Sequence, residues 1–174
     1  MSAIKCDLIP HSNARTSWEL QLDTIQVIDE EPARFNWRDW GMEADDADCY
    51  WGAPSMQPAC NTLACISGWI GLLATEKTQF TLKVTLSSVE DKLFPDSEEL
   101  QDALNCLFYG EADYGGIVRG SDESQRQYAN RGIQAIKAFM TTHEHALKAH
   151  KIVIPERPGA QLVRDWTVAP ALQQ

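Results

Sequence analysis

The chain has 174 residues, 44% of them hydrophobic, and a formal net charge of −10, which suits one cored domain and disfavours a protein that wraps phosphate backbone through bulk charge. The charge is uneven, with 20 acids against 7 bases in residues 1–113 and 5 against 8 in residues 114–174. No run of about 18 apolar residues is present to span a bilayer, Met1 to Pro10 lacks the apolar centre of a signal peptide, and five cysteines at irregular spacing make no disulfide framework, so reduced thiols and a cytoplasmic location are expected.

The segment Asn13 to Glu31 fits two periods. Trp18, Leu20 and Leu22 alternate as in a strand, whereas Trp18, Leu22 and Ile25 share one face of a helix. The reading taken is helix, with Pro32 as the stop just beyond it. Arg34 to Pro58 is rich in Trp, Asp and Pro and reads as loop. Thr62 to Thr75 carries the clearest helical pattern: Leu63, Ile66, Ile70 and Leu73 recur at steps of three and four, and Ala64, Gly68 and Gly71 add a stripe of small residues. Small residues let a neighbouring backbone come close, so this helix is expected to be central and contacted on two sides.

Phe80, Leu82, Val84 and Leu86 alternate with polar residues at strand period, and Ser87 with Glu90 forms a capping box for a following helix. The partner available to that strand is Lys151 to Ile154, which leaves room for a minor two-stranded ribbon outside the core. A helix is predicted over Glu98 to Tyr109, capped by Asp96 or Ser97, with Leu100, Leu104, Leu107 and Phe108 on its apolar side. A single long helix is predicted over Glu123 to Ala149, with Asp122 and Gln125 near its start and Ala129, Ile133, Ile136, Met140 and Leu147 facing the core. The fold class that results is mainly α: a compact helical domain over residues 1–154, followed by a C-terminal tail, 155–174, in which Trp166 offers an apolar group for docking.

At Phe35-Asn36-Trp37-Arg38-Asp39-Trp40, and again at Cys60-Asn61-Thr62-Leu63-Ala64-Cys65-Ile66-Ser67-Gly68-Trp69, the chain resembles a group of small uncharacterised bacterial and phage proteins. Their pattern is an N-terminal amphipathic helix, then Phe-Asp-Met-x-x-Trp, then Cys-Gly-Thr-x-x-Cys-Ile-Ala-Gly-Trp opening a helix. Here Asn36 and Trp37 stand for Asp-Met, Asn61 for Gly and Ser67 for Ala. The resemblance covers roughly residues 14–109. It implies a helical fold and a mobile-element origin, and carries no catalytic assignment.

Cys60 and Cys65 are the sharpest chemical pair. With Thr62 as helix cap, Cys60 would lie just outside the helix N-terminus, where the dipole and free N–H groups favour a thiolate, which makes Cys60 a candidate reactive thiol. The alternative is packing or helix entry, since no histidine lies close in sequence and no nucleophile signature is present. A zinc site from Cys49, Cys60, Cys65 and a histidine lacks the short Cys-x-x-Cys knuckles that usually seed one, and His143, His145 and His150 read as a solvated helix end, so neither metal nor cofactor is expected.

Asp39, Glu43, Asp45, Asp46 and Asp48 form a dense acidic stretch between Trp37, Trp40 and Trp51. It lacks the ligand order of a calcium loop, and neighbouring loop acids are ordinarily solvated rather than catalytic. Two readings remain, a solvated loop over buried tryptophans and an interaction surface in which the acids supply the field and Trp40 and Trp51 the anchors. No phosphate loop, dinucleotide fingerprint or nucleophile elbow occurs, and Arg119, Arg126 and Arg131 suit either an acidic partner or a solvated helix face. The expectation is therefore a non-enzymatic phage-type accessory protein. Its acidic surface would engage a host protein or protein–nucleic acid complex, with no direct nucleic-acid or membrane contact. A Cys60/Cys65-dependent enzyme, redox or metal protein and a structural homo-oligomer are the alternatives.

Overall fold

The computed structural model describes residues 12–36, 42–43, 62–63, 65–74, 97–109 and 119–154. These residues are mainly α, in the order α1 (Ser17–Glu30), a 3-10 turn (Pro32–Arg34), β1 (Met42–Glu43), β2 (Thr62–Leu63), α2 (Ile66–Ala74), α3 (Glu98–Tyr109), α4 (Gln125–Thr142) and α5 (Glu144–Ala149).

Helix α1 begins at a side-chain cap. The Thr16 hydroxyl accepts from the Glu19 N–H, a donor the first turn would otherwise leave open, and the Glu19 carboxylate accepts from the Arg15 N–H just ahead of the cap. Its buried arc differs from the expected one. Trp18, Leu22 and Ile25 are only partly buried, while Leu20, Gln21, Thr24, Val27 and Ile28 face inward. The reason is tertiary: α1 is contacted by α2, α4 and α5, and an arc wide enough for three neighbours takes in polar positions that periodicity leaves out.

Helix α2 starts later than its apolar pattern. Thr62 and Leu63 pair as β2 with β1, Met42 opposite Leu63 and Glu43 opposite Thr62, so Thr62 is not the helix cap. Cys65 takes that place: its carbonyl accepts from the Trp69 N–H at 2.9 Å and its Sγ from the Gly68 N–H at 3.4 Å. Ile66, Trp69, Ile70 and Leu73 are fully buried, and Gly68 and Gly71 are buried with them. A helix apolar all round belongs inside, and α2 packs on α1 and on α3, the two-sided contact its small residues predict.

The ribbon among the described residues is β1 with β2. Residues 80–86 and the capping box at Ser87 lie outside the described residues, and Lys151 makes a single antiparallel bridge to Thr16. Helix α3 spans the predicted residues, with Leu100, Leu104, Leu107 and Phe108 buried and the Ser97 hydroxyl accepting from the Leu100 N–H. The long last helix is two helices. α4 opens on a capping box in which Ser124 and Gln127 exchange side-chain bonds with each other's backbone, two residues on from Asp122 and Gln125. It ends at His143, whose φ of −112° and ψ of 23° leave the helical region before α5 resumes.

The inner faces of the five described helices meet in one hydrophobic cluster, with Trp69, Phe35, Phe139 and Ile136 among its fully buried members. Phe35 sets the closest approach. An added Cβ at Gly132 would lie 2.5 Å from its Cζ, so the glycine lets α4 ride directly on the Phe35 ring, which also tilts against Tyr128 at 5.4 Å. Gln125 fastens the same corner, its amide donating to the carbonyls of Pro32 and Phe35.

Candidate functional site

Of the residues named for the acidic surface, Asp39, Trp40, Asp45, Asp46, Asp48 and Trp51 lie outside the described residues, as do Cys49 and Cys60. Glu43 is placed by its backbone in β1, opposite Thr62. Cys65 is 2% exposed and its sulfur caps α2, so this thiol serves helix entry. No group of three or more His, Cys, Asp or Glu among the described residues is arranged to hold a metal ion.

Charge is one-signed on α1, α3 and α4, whereas α5 pairs Lys148 with Glu144. α1 carries Glu19, Asp23, Asp29 and Glu30 and no lysine or arginine; α3 carries Glu98, Glu99 and Asp102, again with no base. Asp29, Glu30, Glu31, Glu98, Glu99 and Asp102 are exposed. α4 has Arg126, Arg131 and Lys137 and no acid in 18 residues. The arginines are nonetheless engaged within the chain. Arg126 reaches both the carboxylate and the carbonyl of Asp29, tying α4 to the end of α1. Arg131 pairs with both oxygens of Glu123 and lies over the Tyr128 ring, and Arg119 donates to the Glu123 carbonyl and the Gln125 side chain. The hydrogen bonds from Arg131, helped by the Gly120 N–H, hold the Glu123 carboxyl below its usual pKa.

The histidines are not all solvated. His143 sits against Phe139 and His145 is exposed, but His150 joins the end of α5 to the start of α1. Its Nδ1 is 2.8 Å from the Ser17 Oγ, and its carbonyl accepts from the Ser17 N–H. Ser17 belongs to a buried polar set that sequence reasoning missed. Ser12 donates its hydroxyl to the Asp23 carboxylate and its N–H to the Leu73 carbonyl, the Thr24 hydroxyl donates to the Leu20 carbonyl, and Gln21 is fully buried with both ends of its amide unpaired. The signal that could have found them is the polar residue at each of Ser17, Gln21 and Thr24, spaced four and three along one helix face.

No protein-family model, curated protein or solved structure matches the chain. The described residues define a mainly α protein, and among them no helix is long and apolar enough to cross a membrane.

Proposed function

We propose that the chain is a small acidic accessory protein of phage or mobile-element type that binds a host nucleic-acid-handling or defence complex in the cytoplasm and inhibits it. It acts in the manner of an anti-CRISPR protein or DNA mimic and not as an enzyme. Carboxylates presented at a spacing that a basic groove reads as phosphates would occupy the groove. The observation that supports this reading is the sorting of charge: α1 and α3 expose acids with no base on either helix, within a stretch of 20 acids and 7 bases over residues 1–113. The contacts assigned to the partner are Asp39, Glu43, Asp45, Asp46 and Asp48, with Trp40 and Trp51 as apolar anchors.

The test is affinity capture by the tagged full-length chain from a bacterial lysate, at low and at high salt, with mass spectrometry of what is retained. The expected result is a nucleic-acid-handling protein or complex held near one to one and released by salt, because exposed charges are screened within about 10 Å at 0.1 M ionic strength. Lysine substitution of the five acids should abolish capture while the helical circular-dichroism spectrum stays unchanged. Retention that salt and charge reversal leave intact would overturn the acidic-surface mechanism, and no specific partner at either salt would overturn the binding reading.

A further inference from the structure

We draw no further inference here: the strongest candidate, the polar face of α1 on which the Ser17–His150 pair lies one turn from the unpaired Gln21 amide, is sealed from solvent at both its serine and its glutamine, and nothing in the structure shows what molecule would reach it.

Discussion

At Gly132 the lack of a side chain, and at Gln21 the presence of a polar one, each set a local cost in the core. A methyl group at Gly132 meets the Phe35 ring at 2.5 Å, and Phe35 is itself 1% exposed, so the ring has little room to yield. Gly132→Ala should therefore destabilise the chain by about 1–3 kcal/mol, the usual cost of overpacking a filled core, despite the better helix propensity of alanine. Urea unfolding monitored by circular dichroism measures this, and an unchanged midpoint would mean that Phe35 moves freely. Gln21 runs the other way. A buried amide with neither end paired forfeits its hydration without compensation, so Gln21→Met, similar in shape and without the polar atoms, should raise stability by about 1–2 kcal/mol. A loss of stability in the same unfolding experiment would show that the amide is satisfied in solution.

At the scale of elements, helix ends were partly readable. The span of α3 follows from a capping residue ahead of an apolar stripe, and of the two candidates Asp96 and Ser97 it is the Ser97 hydroxyl that accepts from the Leu100 N–H. The start of α4 was placed close by, but the capping box is Ser124 with Gln127. Ser124→Ala should cost about 1 kcal/mol and Ser124→Gly less, seen as paired shifts in thermal midpoint; equal losses would point to something other than the cap. The turn before α4 adds a pH term. The Glu123 pKa is lowered in the folded chain, first by the hydrogen bonds from Arg131. Its contribution to stability is thus present above the ordinary glutamate value of about 4.3 and is lost as the pH falls below that through the lowered folded value. Glu123→Gln should flatten the acid limb of the stability profile relative to the parent chain, and parallel profiles would remove Glu123 from the account. The boundaries of α2 and α5 depart from the apolar pattern for a common reason. The apolar run from Leu63 continues across a strand pair into a helix, and the helical period of residues 123–149 continues across the break at His143, so periodicity alone does not mark either boundary.

For the whole molecule, the relevant quantity is where charge lies rather than its sum. Arg126 and Arg131 spend their charge within the chain, on Asp29 and Glu123, so the excess of bases after residue 113 offers less to an acidic partner than composition suggests. The exposed acids of α3 have no base on their own helix, and salt-sensitive capture of a partner is the outcome expected of such a surface.

Sequence alone determined that the protein is mainly α, because apolar residues at steps of three and four over α2, α3 and α4 leave one way to bury them, and Ile70, Leu104, Ile136 and Met140 are all fully buried. It also determined the strong negative charge. The tertiary structure decided which arc of α1 faces inward, that Cys65 rather than Thr62 caps α2, and that His150 returns to Ser17 across 133 residues of chain. These depend on which helices become neighbours, and a contact between distant residues leaves no period in the sequence to read.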